Sequence, residues 1–355
     1  MTYRVAVLGA GIGIKHIDGL LQLSDRFEVR TVCDLNEELA ESQALRTGGT
    51  TSTSIAEVLA DPDIDIVDIC LPPVMHGPVT LEALAAGKHV IVEKPMAASL
   101  QEADRLAEAE RTSGRLIFPV FQYRYGRGLH KLRRLQEAGL VGAPRVASLE
   151  THWNRQSDYY ANPWRGTFAH ELGGAVLSHA IHIHDLISLH FGRVTEISAM
   201  LNTSINKIET EDCAAIAMRT ETGALVTSSI TLGAADDTSR LRMVFEHVTV
   251  ESGQVPYAPG EAEWQFLARD EDRQAEIDAV PGAADLPLEG FAGYFEAIAD
   301  HLDGKASHAV TLSAGRDSIE LATAIYHADR TGNRVPLPLD RSLSVCNGFK
   351  PSEHT

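Results

Sequence analysis

An apolar strand pattern that runs straight into a glycine-rich turn is the feature that most limits what this chain can fold into. Tyr3 to Leu8 is mainly apolar, and Gly9-Ala10-Gly11-Ile12-Gly13 follows at once. Glycines in such a turn let the main chain bend tightly and approach a pyrophosphate, whose charge is met by the N–H groups that open the next helix. The turn departs from G-x-G-x-x-G, because Ile14 stands at the third glycine position and Gly13 comes one residue early.

Asp34 supports the same interpretation. It follows the predicted strand Phe27 to Cys33 and lies 23 residues after Gly11. In a nucleotide-binding βαβ unit, an acid at this place accepts hydrogen bonds from the adenosine ribose hydroxyls. It also repels a 2′-phosphate, and Leu35 and Asn36 offer no positive charge to offset it. We therefore predict a dinucleotide site that favours NAD over NADP.

Strand-like and helical patterns alternate up to about residue 122. Ser99, with Glu102 three residues later, predicts the start of one helix. Alternation of this kind builds a largely parallel sheet. The further predicted strands are Ile64 to Cys70, His89 to Val92 and Leu116 to Phe121, and the predicted helices are Val79 to Ala86 and Leu100 to Thr112.

After Gly142, longer strand-like segments follow one another with few helices between them. This order predicts an open antiparallel or mixed sheet, so the fold class is α/β with two domains. We expect helices over 174–190, 291–302 and 313–328, and a mostly irregular segment over 253–288. The predicted strands are Arg145 to Trp153, Thr195 to Leu201, Cys213 to Arg219, Ala224 to Leu232 and Leu241 to Val250.

Composition excludes several classes of partner. The chain of 355 residues has 31 Lys and Arg against 49 Asp and Glu, a formal net charge of -18, and no basic run that would follow a nucleic-acid backbone. It has neither a membrane-spanning apolar run nor a signal-peptide pattern. The 4 cysteines lack C-x-x-C spacing, which favours reduced thiols. We expect a cytoplasmic protein that binds neither nucleic acid nor membrane.

Two further motifs follow the carboxyl ends of predicted parallel strands, where ligands bind in open α/β sheets. One is Cys70-Leu71-Pro72-Pro73-Val74-Met75-His76, and the other is Glu93-Lys94-Pro95. An ammonium at Lys94 can hydrogen-bond a substrate hydroxyl and stabilise the negative charge that develops as its proton leaves. Composition alone also allows Glu93 and Lys94 to be a surface pair at a turn.

A third motif gathers polar groups on a predicted helix. At helical spacing, Ser178, His179, His182 and Asp185 share one face, whereas His184 points away. His182 can accept a proton at neutral pH if Asp185 or Ser178 holds its other ring nitrogen. Histidines in helices are more often core or capping groups. His179, His182 and Asp185 also fit zinc or manganese on paper, but H-E-x-x-H is absent, and we predict no metal.

Together the three motifs resemble the Gfo/Idh/MocA family, the glucose-fructose oxidoreductase and inositol dehydrogenase group. Glu93-Lys94-Pro95 resembles its E-K-P motif, whose lysine is catalytic and positions substrate. Gly173, Gly174, Ser178 and His182 match G-G-x-x-x-D-x-x-x-H, whose histidine is the general acid/base. Asp185 matches a common acid three residues later, and Trp164-Arg165 matches W-R. Ser178 replaces the usual Asp, so Asp185 or His179 would have to orient or supplement His182.

The resemblance implies a Rossmann domain over 1–122, a substrate-binding and oligomerisation α/β domain over 123–340 and a C-terminal tail over 341–355. It implies a homodimer or homotetramer, because the open sheet often forms the interface in this family. The expected catalytic residues are Lys94, His182, Asp185 and His179. The expected cofactor-binding residues are Gly9, Gly11, Ile12, Gly13, Asp34, Leu71, Pro72, His76, Glu93 and Lys94. The expected substrate-binding residues are Gln122, Tyr123, Arg124, His152, Arg155, Trp164, Arg165 and His179.

The expected reaction is oxidation of a secondary hydroxyl of a sugar, sugar derivative or cyclic polyol. His182 would take the hydroxyl proton while Lys94 hydrogen-bonds the same oxygen, and hydride would pass to nicotinamide. Alternatives are an NAD-dependent redox-neutral glycosidase, a non-catalytic sugar or nucleotide sensor, and a metal hydrolase that uses His179, His182 and Asp185.

Overall fold

A computed structural model of the chain describes residues 1–280 and 288–351. The chain divides into two compact units. The first comprises Met1–Gln122 and Phe291–Ile319, and the second comprises Tyr123–Gly290 and Glu320–Thr355.

The first unit is built on a parallel sheet of 6 strands. The strands are β1 (Tyr3–Leu8), β2 (Phe27–Cys33), β3 (Thr50–Ser52), β4 (Ile66–Ile69), β5 (His89–Val92) and β6 (Ile117–Pro119). Their order is β3-β2-β1-β4-β5-β6, and all pairs are parallel. The carboxyl ends therefore share one edge, and the order reverses between β1 and β4, where ligands bind in such sheets. This confirms the predicted doubly wound Rossmann sheet.

Helices connect these strands. They are α1 (Gly13–Leu21), α2 (Glu37–Thr47), α3 (Ile55–Ala60), α4 (Pro73–Ala85) and α5 (Leu100–Ser113). The predicted cap of α5 is confirmed, because the Ser99 hydroxyl accepts the Glu102 N–H at 3.0 Å. The side chains of β1, β4, β5 and β6 are almost wholly buried, which explains why these strands are largely continuous apolar runs rather than alternating patterns.

The second unit contains a mainly antiparallel sheet. Its elements along the chain are α6 (Arg127–Glu137), β7 (Pro144–Asn154), α7 (Ile181–Phe191), β8 (Val194–Asn202), β9 (Cys213–Thr220), β10 (Leu225–Thr231), β11 (Gly233–Phe245), β12 (Val248–Glu251), β13 (Gln265–Ala268) and α8 (Glu271–Ala279). Along the chain there follow α9 (Gly290–Leu302), which apart from Gly290 belongs to the first unit, α10 (Leu312–Thr331), which is divided between the units after Ile319, and β14 (Val335–Pro336) of the second unit. The strand order is β13-β12-β11-β7-β10-β9-β8-β14. Within the described part of this second sheet, β7 and β10 are the only pair of neighbouring strands that run in parallel. The expected open sheet is confirmed.

Alternation along the strands gives this sheet two different faces. In β7, Ala147, Leu149 and Trp153 are buried, whereas Val146 and Ser148 on the other face are exposed. This period of two is typical of a sheet with one face in the core.

Several sequence predictions need correction. The segment 253–288, predicted to be mostly irregular, also contains the short strand β13 and the helix α8; its residues 281–287 lie outside the described part of the chain. The single strand predicted over 241–250 is two strands, since the chain turns at Glu246-His247 and pairs β11 with β12.

The division of the chain also differs from the prediction of one domain over 123–340. Residues 291–319 belong with the first unit. Phe291 and Phe295 of α9 contact α1 so closely that a Cβ built at Gly19 would lie 2.9 Å from the Phe291 Cβ. The predicted tail is not separate either, because Val345, Cys346 and Phe349 are buried and Phe349 packs against Tyr326 of α10. None of the helices in the described residues is long and apolar enough to cross a membrane.

Candidate active site

The turn after β1 requires glycine at its first position. Gly9 has a φ of +93°, a conformation that other residues rarely adopt. Its N–H donates to the Cys33 carbonyl at 2.8 Å, and a Cβ at Gly9 would lie 2.5 Å from the Cys70 carbonyl oxygen. The turn is therefore held against the ends of both neighbouring strands.

Gly11 and Gly13 have different roles in the same turn. A Cβ at Gly11 would have no atom within 4 Å, so this position is open to a ligand. A Cβ at Gly13, the first residue of α1, would lie 3.0 Å from Val7 Cγ1 and 3.5 Å from Cys70 Cβ. Gly13 thus provides the close helix–strand packing that the third glycine of the fingerprint normally gives, one residue early.

The Asp34 carboxylate links the glycine turn to the end of β2 by hydrogen bonds. One oxygen accepts the Ala10 N–H at 2.7 Å and the other accepts the Asn36 N–H at 2.8 Å. A carboxylate has about four acceptor sites, so Asp34 keeps capacity for ribose hydroxyls. Leu35 beside it is 90% exposed and brings no positive charge. The glycine turn, the start of α1 and Asp34 therefore fit NAD.

His76 joins the turns that follow β4 and β5. Its Nδ1 lies 2.7 Å from the Pro95 carbonyl oxygen, and its Nε2 lies 2.7 Å from the Leu71 carbonyl oxygen. Burial lowers the pKa of His76, although the hydrogen bonds to the two carbonyls oppose the shift. His76 is 1% exposed, so we expect it to support the nucleotide-binding edge of the sheet by holding these two turns together. Leu71 and Pro72 lie directly at the β4 end, as predicted.

Lys94 lies two residues after the end of β5, so it leaves the sheet at the same edge as the glycine turn. The Lys94 residue is partly exposed, whereas Glu93 is buried. One carboxylate oxygen of Glu93 accepts the Lys94 main-chain N–H at 3.0 Å. Glu93 therefore supports the turn that carries Lys94.

In the second unit, the structure explains the Gly173-Gly174 pair. A Cβ at Gly173 would lie 2.4 Å from the Tyr326 hydroxyl, and one at Gly174 would lie 1.9 Å from the Glu211 carbonyl oxygen. The buried Glu211 carboxylate accepts the N–H groups of Gly174 and Val176, both at 3.0 Å, and the Tyr326 hydroxyl at 2.9 Å. A carboxylate thus caps the helical segment that leads to His182.

That segment begins as a π-helix over Val176–Ala180 and becomes α7 at Ile181. A single α-helix was predicted over this segment, so its π-helical start is a correction to that prediction. The Ser178 hydroxyl donates to the Gly174 carbonyl at 2.7 Å and lies 2.6 Å from His179 Nδ1. π-Helical turns are frequent at functional sites, because they redirect side chains.

His182 is buried and its ring stacks on Tyr123, with ring centroids 4.3 Å apart and 21° between the planes. The Tyr123 hydroxyl donates to the Pro256 carbonyl at 3.1 Å. Tyr123 is therefore a fixed aromatic wall for the imidazole.

Asp185 is bound by Arg124 in a bidentate pair. Arg124 Nε lies 2.6 Å from one carboxylate oxygen and Nη2 lies 2.5 Å from the other. Asp185 was predicted to orient His182, and this role stays a prediction; both carboxylate oxygens of Asp185 accept hydrogen bonds from Arg124. The role of Arg124 as a substrate ligand also stays a prediction, made for a guanidinium that Asp185 engages.

Aromatic and polar groups surround Tyr159. We call Trp153, Arg155, Tyr159, Arg165, His179 and Tyr257 the Tyr159 cluster. The Trp153 and His179 rings lie 5.0 Å apart, and His179 Nε2 lies 3.4 Å from the Tyr159 hydroxyl. Arg155 pairs with Asp237 at 2.9 Å, and Arg165 pairs with Glu171 at 3.1 Å. The two guanidinium charges are therefore offset within the second unit.

The remaining predicted substrate residues are placed differently. His152 Nε2 lies 2.8 Å from Ser229 Oγ on the outer face of the sheet, opposite the face of Trp153. This contradicts a role for His152 beside His179. Trp164 is half-buried and its ring stacks with Arg165. The Gln122 amide oxygen is buried and accepts no hydrogen bond from the described residues.

The sequence analysis did not find Glu211, Tyr326, Tyr159 or Tyr257. Glu211 precedes β9 in Thr210-Glu211-Asp212, a place where strand-end acids cap neighbouring helices, and this was the available signal. The others carry no local pattern.

Family models match both parts of the chain. Residues 3–121 match the oxidoreductase family with an NAD-binding Rossmann fold, and residues 129–251 match the GFO/IDH/MocA C-terminal domain. Inositol 2-dehydrogenase 3 of Saccharopolyspora erythraea is 36% identical over 149 residues, which are 41% of this chain and 44% of that protein. Myo-inositol 2-dehydrogenase of Thermotoga maritima is 27% identical over 229 residues, 62% of this chain and 66% of that protein. The aligned part thus spans less than two thirds of these curated relatives.

A solved structure matches over almost the full length. The WlbA dehydrogenase from Bordetella pertussis, in complex with NADH and UDP-GlcNAcA, is 29% identical with a TM-score of 0.83, and the match covers 96% of this chain and 99% of that chain. With both family models and the glycine turn in agreement, the chain belongs to the Gfo/Idh/MocA family of oxidoreductases, and its first domain is an NAD-binding Rossmann domain.

Proposed function

We propose that this protein is an NAD-dependent dehydrogenase that oxidises a secondary hydroxyl of a sugar, sugar derivative or cyclic polyol. The observation that carries the proposal is the position of Lys94, which leaves the parallel sheet at the same edge as Gly11 and Asp34. A cationic group at the nucleotide-binding edge suits a hydroxyl that loses a proton.

When bound, NAD supplies the hydride acceptor; the glycine turn, the start of α1 and Asp34 are the groups that would hold it. Lys94 hydrogen-bonds the substrate oxygen and stabilises the charge that develops on it. His182 takes the hydroxyl proton, as the matching histidine does in the family. Its ring orientation is fixed by Tyr123, so the proton acceptor does not need to be ordered during the reaction.

The substrate class is supported by the Tyr159 cluster. Aromatic rings next to hydroxyl, imidazole and guanidinium groups suit a ligand with an apolar ring face and many hydroxyls. His179 is the group of this cluster nearest to His182 along the chain, three residues away. Because Arg155 and Arg165 are already paired with acids, a neutral polyol is favoured over a multiply charged substrate. The names of the relatives, inositol dehydrogenases among them, support the same class.

We also propose a homodimer or homotetramer that uses the outer face of the open sheet. Val146, Leu225 and Met200 are exposed on β7, β10 and β8, and Met200 is 73% exposed. Light scattering on the purified protein tests this, and a variant with Met200→Glu should shift the population toward monomer.

The function is tested by NADH formation from NAD with a panel of inositols, aldoses, sugar acids, nucleotide sugars and glycosides. Oxidation of one class with equimolar NADH supports the proposal. Consumption of a glycoside without NADH accumulation would instead identify a redox-neutral glycosidase. NAD binding with no turnover on any class would identify a sensor.

A further inference from the structure

A buried polar cluster lies under the carboxyl edge of the parallel sheet and has no part in the function proposed so far. It consists of His16 in α1, Asp68 in β4, Cys70 directly after β4, and Glu93 directly after β5. His16 and Asp68 are fully buried, and the other two are nearly so. Burying four ionisable groups this deeply is costly unless each charged one is paired and hydrogen-bonded.

The distances show how they are paired. His16 Nδ1 lies 2.9 Å and 3.0 Å from the two Asp68 oxygens, and His16 Nε2 lies 3.2 Å from a Glu93 oxygen. A carboxylate can only accept, so each ring nitrogen must carry a proton, and the imidazolium is the form that does so. Cys70 Sγ lies 3.4 Å from His16 Nδ1 and 3.7 Å from an Asp68 oxygen.

The electrostatics agree with this pairing. Burial alone lowers the pKa of His16, but the charge of Asp68 and the hydrogen bonds of the cluster raise it well above its usual value. Burial, followed by the charge of Asp68, raises the pKa of the Cys70 thiol to about 12, so Cys70 stays protonated. The groups facing His16 are Asp68 and Cys70 from the β4 end, Glu93 from the β5 end, and Phe291 and Phe295 from α9, with ring centroids 4.5 Å and 5.7 Å away.

Glu93 connects this cluster to Lys94. One of its oxygens faces His16 Nε2, and the other accepts the Lys94 main-chain N–H at 3.0 Å. The Glu93 carboxylate is therefore held between an imidazolium and the peptide that carries Lys94. Loss of His16 would leave this carboxylate buried with one partner fewer, and the turn would relax toward water.

We propose that His16 is a positioning residue that fixes the Glu93–Lys94 turn by holding the Glu93 carboxylate in place. This inference rests on the proposed function only in giving Lys94 a catalytic role. The ligand atoms of His16, Asp68 and Cys70 also lie within 4.8 Å of one another, close enough for a metal ion. The hydrogen-bond distances within the group favour the imidazolium network over a metal site.

The test compares His16→Gln with His190→Gln, since His190 is also a buried histidine, paired with Gln136 at 2.8 Å, and lies outside the proposed machinery. Hydrogen exchange of a peptide covering residues 90–97 is measured by mass spectrometry, together with kcat and KM. We expect faster exchange in His16→Gln and a kcat about tenfold lower or more with little change in substrate KM. His190→Gln should leave both unchanged.

Unchanged exchange at 90–97 in His16→Gln would overturn the inference. Faster exchange in a protein whose wild type oxidises no substrate would support the positioning role while the proposed function fails, so the two are distinguishable. If His16→Gln does not fold, His16→Gln/Asp68→Asn keeps the buried net charge of the wild type and takes its place.

A measurement on the wild type needs no variant. The ¹⁵N chemical shifts of His16 should show two protonated ring nitrogens at neutral pH. A neutral tautomer, or a stoichiometric metal ion in the purified protein, would contradict the inference.

Discussion

The ring of Tyr123 lies against the imidazole of His182, with centroids 4.3 Å apart and planes 21° from parallel. Tyr123 is 4% exposed, and its hydroxyl is fixed by the Pro256 carbonyl. The proposed proton acceptor therefore has a rigid wall on one face.

Removal of the Tyr123 ring should lower kcat more than it changes the substrate KM. In Tyr123→Ala the imidazole gains freedom, and because small misplacement of a catalytic group is costly, we expect kcat to fall by about tenfold to a hundredfold. Tyr123→Phe keeps the ring and loses only the hydroxyl, so it is the matched control and should retain most of kcat. Steady-state kinetics check this; equal losses in the two variants would show that the Pro256 hydrogen bond, and not the stacking, is what matters.

The Arg124–Asp185 pair should be structural. Both side chains are largely buried, so removal of one partner strands a charge, and Asp185→Asn should lower the free energy of unfolding by about 3–5 kcal/mol. Arg124→Gln/Asp185→Asn should recover much of that loss. Denaturant unfolding measures both. The pH profile of kcat/KM should keep its shape in Asp185→Asn, and a lost ionisation there would mean that Asp185 takes part in proton transfer.

Two glycine variants separate cofactor binding from folding. Gly11→Ala places its methyl where no protein atom lies within 4 Å, so unfolding should be unchanged while the NAD dissociation constant rises by about tenfold or more. Gly174→Ala instead places a methyl 1.9 Å from the Glu211 carbonyl oxygen and should destabilise the second unit. Calorimetric titration with NAD and thermal unfolding check both variants; wild-type NAD affinity in Gly11→Ala would exclude close approach of the cofactor at that residue.

Glu211 should make stability depend on pH. Burial raises its pKa to about 7 from 4.5, although hydrogen bonds from Val176, Gly174 and Tyr326 oppose the shift. A raised carboxyl pKa means that the folded state holds a proton which the unfolded state has lost. The resulting stabilisation is present below pH 4.5 and disappears as the pH rises through 7.

The comparison is with Glu211→Gln, which cannot titrate. Relative to Glu211→Gln, the wild type should lose about 3 kcal/mol of its free energy of unfolding between pH 4.5 and pH 8. Urea unfolding across this range measures it. Parallel stability curves would mean that Glu211 is ionised throughout.

Sequence reasoning was most successful where local chemistry and long-range structure agree. β1, β2 and β5 have the predicted bounds, because fully buried parallel strands are continuous apolar runs that glycine or polar turns interrupt. The cap at Ser99 and the edge position of Asp34 follow from the same local rules. The turns after the strands of the parallel sheet were predicted to lie at one edge, because the carboxyl ends of parallel strands share an edge.

What failed depends on tertiary contacts that leave no local pattern. The π-helical turn over Val176–Ala180 is held by Glu211 and Tyr326, which are distant along the chain. Asp185 pairs with Arg124 of another element, and helical spacing alone cannot show this contact. His152 lies on the outer face because the register of β7 gives Trp153 the inner one, and a shift of one residue would exchange them.

The most direct measurement is NADH formation, with the substrate class found in the panel, by wild type, Lys94→Ala and His182→Ala. The controls are Lys305→Ala, at an exposed lysine, and His184→Gln, at a histidine that lies on the same helix as His182 and pairs with Ser228 of β10. We predict that Lys94→Ala and His182→Ala each lose about a hundredfold or more in kcat while NAD affinity stays near that of the wild type, and that the controls remain active. Wild-type turnover in Lys94→Ala, or no NADH from a wild type that binds NAD, would contradict the proposed dehydrogenase.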